Sequence, residues 1–275
     1  MYFTDICVII YYQICKGDVM KIAVITGASS GIGREFVKQI DRAEQLDEIW
    51  LIARREDKLK QIATELKNKS RIIPLDLLKP ESFEEYKNML CADTEVRYVV
   101  NASGFGNMGD WSEIPNEAQM QMIDLNVKAL VTMTNITIPY MKKGSMILQM
   151  GSASVFNPLP YFNIYASTKS FVRHYSRALH EELKPLGIHV TVVCPGWVRT
   201  EFFDHTNDSK VRYSPKKYSP MTDAKDVVCR ALRHAKRNKA LSIYGWFTKT
   251  QHVLGKLLPH SLIMKMWKGM LKENK

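Results

Sequence analysis

The 275-residue chain lacks any apolar run long enough to cross a bilayer as a helix; its early apolar stretch, 6–12, is far too short. Asp5 stands ahead of that run where a secretory signal would carry basic residues, so a cleaved leader is not expected. Cysteine is scarce and scattered. Cys7, Cys15, Cys91, Cys194 and Cys229 form no CxxC and no close Cys/His pair, which argues against a disulfide framework and a zinc site, and no metal is expected. Unpaired cysteines also point to a reducing, cytoplasmic setting. No internal repeat and no low-complexity linker interrupts 21–245, so that stretch reads as one domain.

An acidic surplus is absent as well: 39 Lys+Arg stand against 28 Asp+Glu, a formal net charge of +11. The excess is local. Residues 1–200 hold 23 basic and 22 acidic side chains, whereas 201–275 hold 16 and 6. A nucleic-acid binder spreads basic residues over one face of its fold, and the balanced first 200 residues do not fit that pattern. An apolar fraction of 45% and a charged fraction of 24% exclude disordered and fibrous classes.

Short β-branched runs alternate with longer helical stretches, as in βαβ units on a parallel sheet. Strands are predicted at 22–26, 49–53, 71–75, 96–100, 145–150, 188–193 and 241–244, and helices at 31–40, 56–67, 116–141 and 164–184. The expected fold is a single α/β domain with a doubly wound, mostly parallel Rossmann sheet of about seven strands. Met20 and Lys21 directly precede the first strand, so 1–19 reads as an extension and 20–247 as the domain. Translation starting at Met20 is one reading, which N-terminal sequencing of native protein beginning at Met1 would exclude. The polar segment 201–220, with Pro215 and Pro220, reads as a surface lid.

Between the first strand and helix lies Thr26-Gly27-Ala28-Ser29-Ser30-Gly31-Ile32-Gly33. Glycines permit a tight turn and close backbone approach, and the helix N-terminus offers free N–H groups to a pyrophosphate. The second strand ends on Ala53-Arg54-Arg55 rather than on the acid that would bind the ribose of NAD. Two guanidiniums there suit the extra phosphate of NADP; their bland alternative is a solvated helix start. Asp76 follows the third strand, where it would meet an adenine or cap the next helix.

Tyr165 and Lys169 are four apart in a helical stretch, hence on one face. A neighbouring ammonium stabilises a phenolate, which makes tyrosine an acid or base. Ser152, after the strand 145–150, can donate to a carbonyl oxygen.

This assembly resembles the short-chain dehydrogenase/reductase family, in its compact single-domain branch, over 21–245. The carrying motifs are the 26–33 turn, Asp76, Asn101-Ala102-Ser103-Gly104, Asn126, Ser152, Tyr165, Lys169 and Pro195-Gly196. The resemblance implies hydride exchange between a nicotinamide cofactor, NADP(H) preferred over NAD(H), and a ketone or secondary alcohol. It implies Tyr165 as proton donor or base, Lys169 lowering the Tyr165 pKa and holding the ribose, Ser152 polarising the carbonyl, and Asn126 fixing a water. By the same resemblance Gly27, Ser29, Ser30, Gly31, Ile32, Gly33, Arg54, Arg55, Asp76, Asn101, Gly104, Pro195, Gly196, Val198 and Thr200 line the cofactor. The family commonly has a second asparagine where Ala102 stands, so one local hydrogen bond is lost. Phe156, Leu159, Phe162, Trp197, Phe202 and Phe203 fall in segments the family uses near its substrate, which suggests a lipophilic ketone such as a steroid or 3-oxoacyl compound. The rival is a catalytically silent NADP-sensing module of the same fold; an epimerase or dehydratase of the sister branch would need a longer substrate domain. The family also suggests a homo-oligomer.

Residues 248–275 form a basic tail. Leu262, Ile263, Met266, Trp267, Met270 and Leu271 recur in pairs every four residues, with Lys265, Lys268 and Lys272 around them. That is a short amphipathic helix. It packs back on the domain or across a dimer, lies on an anionic membrane surface, or guides an acidic substrate.

Overall fold

The computed structural model describes residues 19–203, 212–218 and 220–273. In chain order the first half runs β1 (Met20–Thr26), α1 (Gly31–Ala43), β2 (Glu48–Ile52), α2 (Glu56–Ala63), β3 (Ser70–Ile73), α3 (Glu81–Met89) and β4 (Thr94–Asn101). Then come α4 (Asn116–Ile123), a π-helical turn (Asp124–Ala129), α5 (Leu130–Thr137), β5 (Met146–Met150), α6 (Asn163–Leu183) and β6 (His189–Cys194). The last part holds β7 (Trp197–Val198), β8 (Tyr213–Pro215), β9 (Met221–Thr222), α7 (Ala224–Lys236), β10 (Leu241–Ile243), α8 (Trp246–Leu257), α9 (His260–Met270) and β11 (Leu271–Glu273).

Seven parallel strands form one sheet in the order β10-β6-β5-β4-β1-β2-β3. The expected doubly wound fold is present. Alternate residues of each strand point to opposite faces, and both faces are dry. Ala23 and Ile25 join Phe36, Ile40, Leu59 and Val228 on one side, while Ile22 and Val24 join Tyr86, Met133 and Leu179 on the other. The order reverses between β1 and β4, which opens a crevice beyond the strand C-termini at that switch point.

Several predicted boundaries move for local reasons. β3 stops at Ile73 because Pro74 has no N–H for the ladder. The helix predicted to Lys67 ends at Ala63, and the chain then turns so that Lys67 and Asn68 donate backbone N–H groups to Asp41. The helix predicted over 116–141 widens into the π-helical turn and ends near Pro139. Of the expected lid, Glu201–Phe203 is a 3-10 turn, β9 pairs with β7, and β8 pairs antiparallel with β11 at the end of the tail. Residues 204–211 and 219, and the Phe203 side chain, lie outside the described residues, as do 1–18 with Cys7 and Cys15. Cys91, Cys194 and Cys229 are free. No helix among the described residues is long and apolar enough to cross a membrane.

Trp50 tests the packing of the sheet. It is fully buried on β2, meets Tyr86 edge-on with centroids 6.2 Å apart, and carries Arg71 5.0 Å from its ring. Trp50→Ala is expected to cost about 3–5 kcal/mol. Urea unfolding measures it, and a loss under about 1 kcal/mol would show that the site collapses to fill the cavity.

Candidate active site

The crevice is one continuous cavity of about 940 Å³. One end is built by the β1–α1 turn. Gly27 has φ +66, and a β-carbon there would lie 2.8 Å from the backbone of Ala102 and Ser103; one at Gly33 would collide with the Gly27 carbonyl. Thr26 Oγ1 accepts from the Ala102 and Ser103 N–H groups at 3.1 and 3.2 Å, clasping the end of β4 to the turn. No side chain caps the N-terminus of α1, and its first turn carries no acidic residue. Its N–H groups and positive dipole end therefore face the cavity without a competing anion.

At the other end α6 places Tyr165 and Lys169 one turn apart. Lys169 is 4% exposed; its ammonium donates to the Met150 carbonyl at 2.9 Å and sits 5.7 Å from the Tyr165 ring centre. Burial pushes Lys169 down to about 8. Burial pushes Tyr165 up to about 12, against a hydrogen bond from Ser152 that favours the phenolate, while the Cys194 thiol raises it further. The net lowering of Tyr165 expected from the resemblance is absent. Desolvation outweighs every other influence on the phenol, and the ammonium is drawn to Met150 instead.

Of the residues singled out in the sequence, Gly27, Ser29, Ser30, Gly31, Ile32, Gly33, Arg54, Arg55, Asp76, Gly104, Ser152, Tyr165, Lys169, Pro195, Gly196, Val198 and Thr200 all line this cavity. Two do not. Asn101 is buried behind the wall, its amide donating to Thr134 and Gln149 at 3.0 and 2.9 Å, because the last side chain of β4 faces into the sheet layer. Asn126, also buried, accepts from the Phe105 N–H at 3.1 Å and donates to the Phe105 carbonyl and the Thr168 hydroxyl at 2.9 and 3.1 Å. It braces the Phe105 loop against the helix that carries Lys169. Asp76 lines the cavity and accepts from the Leu78 N–H at 3.1 Å, a turn within the loop; it does not cap the next helix, whose N-cap is Pro80. Arg55 reaches the Ser29 hydroxyl at 3.2 Å and pairs with Glu201 at 2.9 Å.

The deep wall beside Tyr165 is apolar. Leu159, Phe162, Trp197 and Phe202 take part, with Phe162 stacked on Tyr165 at 4.3 Å. Phe156 does not; it packs with Leu130 and Val172 and against His252, because its 3-10 turn aims it away from the cavity.

A sequence profile of the short chain dehydrogenase family matches residues 21–211. The chain belongs to that family. An uncharacterized oxidoreductase of Staphylococcus epidermidis is 30% identical over 190 residues, covering 68% of this chain and 82% of its own length. The human very-long-chain 3-oxoacyl-CoA reductase is 32% identical over 190 residues, covering 65% of this chain and 60% of that enzyme. An alcohol dehydrogenase of Comamonas testosteroni described as specific for bulky-bulky ketones is similar in structure, with a TM-score of 0.68 and 25% identity over 88% of this chain and 94% of its own. This short-chain dehydrogenase is thus an oxidoreductase for alcohol or ketone groups that works with a nicotinamide cofactor. Its cavity suits that cofactor: an uncapped helix end, a turn whose glycines leave no room for a β-carbon, and a wall reaching to Tyr165.

Among the cavity residues that the sequence reading did not assign to the site are Gly106, Phe247, Gln251 and Trp267. The last three come from α8 and α9, far along the chain, and no local motif announces them. Gly106 had a signal, being the second glycine after β4 in Gly104-Phe105-Gly106. A β-carbon there would lie 2.5 Å from Tyr165 Cδ2. Gly106→Ala is therefore expected to push the ring aside and lower turnover about 100-fold, as a misplacement near 1 Å does. Steady-state rates alongside a thermal melt check this; unchanged turnover would show that the ring is not held there.

Proposed function

We propose that this short-chain dehydrogenase reduces a bulky, lipophilic ketone to a secondary alcohol with NADPH, and catalyses the reverse oxidation when alcohol is in excess. The carrying observation is the buried Tyr165 and Lys169 with the half-buried Ser152, set against an apolar aromatic wall in the same cavity as the glycine turn. A nicotinamide bound in the cavity supplies hydride to a carbonyl carbon, or accepts it.

The protein's own groups then handle the proton. With its pKa pushed up to about 12, Tyr165 is fully protonated at neutral pH, as an acid in the reductive direction must be. Its hydroxyl donates a proton to the carbonyl oxygen as negative charge develops there. Ser152 donates a second hydrogen bond to that oxygen, a role in which a preorganised donor lowers the barrier by several kcal/mol, about 3. Lys169, cationic below about pH 8, offsets the charge left on the phenolate from one helical turn away. Asn126 positions the loop and helix that hold them.

Arg54 and Arg55 support the NADP reading. The Arg55 guanidinium already holds an anion, the Glu201 carboxylate, beside Ser29 of the turn. A phosphate on the adenosine ribose would compete with Glu201 for it. The aromatic wall supports a bulky substrate, in keeping with the ketone preference stated for the Comamonas enzyme and the acyl substrate named for the human one.

A panel of steroid and 3-oxoacyl ketones followed by NADPH absorbance tests the reading. Tyr165→Phe is expected to lose at least about 100-fold in kcat while binding NADPH as before. Tight binding without turnover across the panel would favour the silent sensing module instead. For ketone reduction, kcat/KM should hold steady up to about pH 8 and fall above it as Lys169 loses its proton. A plateau running to the ordinary lysine value of 10.5 would remove Lys169 from the account. Arg55→Ala should weaken NADPH binding by about tenfold or more and leave NADH nearly unchanged, since a hydrogen bond to a charged group is worth about 1.5–3 kcal/mol. An equal loss for both cofactors would contradict the preference.

A further inference from the structure

The tail turns two different faces outward and inward. Toward the fold, Phe247, Gln251 and Trp267 line the cavity, and Trp267 donates its indole N–H to the Pro160 carbonyl at 2.8 Å. Leu271 is buried beside it, and β11 pairs with β8, so both helices are fastened to the domain. The stripe read in the sequence as one apolar face is therefore split. Trp267 and Leu271 face in, while Leu262, Met266 and Met270 face out.

The outward side is apolar on both helices. Trp246 is 72% and Leu257 73% exposed on α8, with Val253 between them along the helix, and Leu262, Met266 and Met270 repeat every four residues along α9. At 100° per residue each set forms one narrow stripe. Lys249 and Lys256 flank the first on one side; on α9 Lys265 lies beside the Leu262 edge of the second, and Lys268 lies farther round the helix, both exposed. None of these four lysines forms an ion pair among the described residues. Over 246–273 five lysines face a single acidic residue, Glu273, which is paired with Arg212.

We propose that the outer face of α8 and α9 docks on an anionic lipid bilayer. An exposed tryptophan and aliphatic stripe with exposed lysines matches the layered chemistry of that interface, apolar chains below and negative headgroups above. A second copy of this chain is the poorer partner, because a twofold contact through this face would bring the lysines of two copies against each other. Docking gives the same helices two tasks: their outer faces hold the lipid and their inner faces wall the pocket. The benefit of that arrangement for a lipophilic ketone rests on the function proposed above, but the docking itself does not, and its readout is independent of activity.

The test is co-sedimentation of the full chain with vesicles of phosphatidylcholine alone and of phosphatidylcholine mixed with phosphatidylserine. Binding is expected to the mixed vesicles, to weaken with salt, and to be slight on phosphatidylcholine. Lys265→Glu with Lys268→Glu should weaken it by at least about 25-fold, taking about fivefold per lysine near a charged surface. Both positions are exposed and outside the cavity, so ketone turnover and the melting temperature should stay unchanged. The Trp246 emission should shift to the blue on mixed vesicles, and a Trp246→Phe variant should lose that shift. Equal binding to both vesicle types, or mixed-vesicle binding that the double variant retains, overturns the proposal. So does a dimer in solution that Leu257→Asp dissolves while vesicles pellet no protein. A failed ketone panel with intact vesicle binding would overturn the proposed function and leave the docking standing.

Discussion

The burial of an ammonium is the constraint on which the rest of this site depends. Lys169 lies almost wholly out of water, and the protein compensates it with a backbone carbonyl, Met150, rather than with a carboxylate. A carboxylate there would fix the charge and neutralise the field; a carbonyl dipole leaves the lysine cationic near neutrality and still able to act on its neighbours. Holding it so requires a dry wall. The sheet supplies Met150 at the end of β5, α6 supplies Tyr165 one turn away, and the loop after β4 comes in close enough that only glycine fits at 106. Tyr165 is desolvated by the same enclosure and keeps its proton as a result.

Much of this was legible in the sequence because it is local. A strand, a glycine turn and a helix start must be contiguous to cradle a phosphate, and Tyr165 and Lys169 must be one helical turn apart to share a face. These constraints leave a fixed spacing, and the strand rhythm of a doubly wound sheet is equally plain from 22 to 194. The misreadings have a common physical cause. Asn101 and Phe156 sit at the ends of elements, where a single step in the backbone decides whether a side chain faces the cavity or the packed layer behind it. The influence of Lys169 on Tyr165 depended on distances and burial that spacing alone does not give.

What the sequence hid was long-range. Trp267 reaches the wall beside Tyr165 from about a hundred positions away, and Glu201 finds Arg55 across the mouth of the cofactor end. Neither contact has a local signature, since each depends on how a late segment is laid back over the sheet. The tail read as an amphipathic helix with one apolar face; in three dimensions its two neighbouring apolar edges do different work, one completing the pocket and the other left in contact with solvent. The basic surplus of the last quarter of the chain thereby gains a place: part of it lies at 212–217, a larger part on and just after α7 at 225–239, and part on α8 and α9.

The central claim is that one cavity brings a hydride carrier, a protonated tyrosine and a bulky ketone together. Label transfer measures this most directly. NADPH carrying deuterium at nicotinamide C4 is incubated with the best ketone of the panel, and the alcohol is analysed by mass spectrometry. The account predicts one deuterium on the carbinol carbon with the wild-type protein, and no labelled product above background with Tyr165→Phe at saturating cofactor. Unlabelled alcohol, or label transfer by Tyr165→Phe at the wild-type rate, would contradict it.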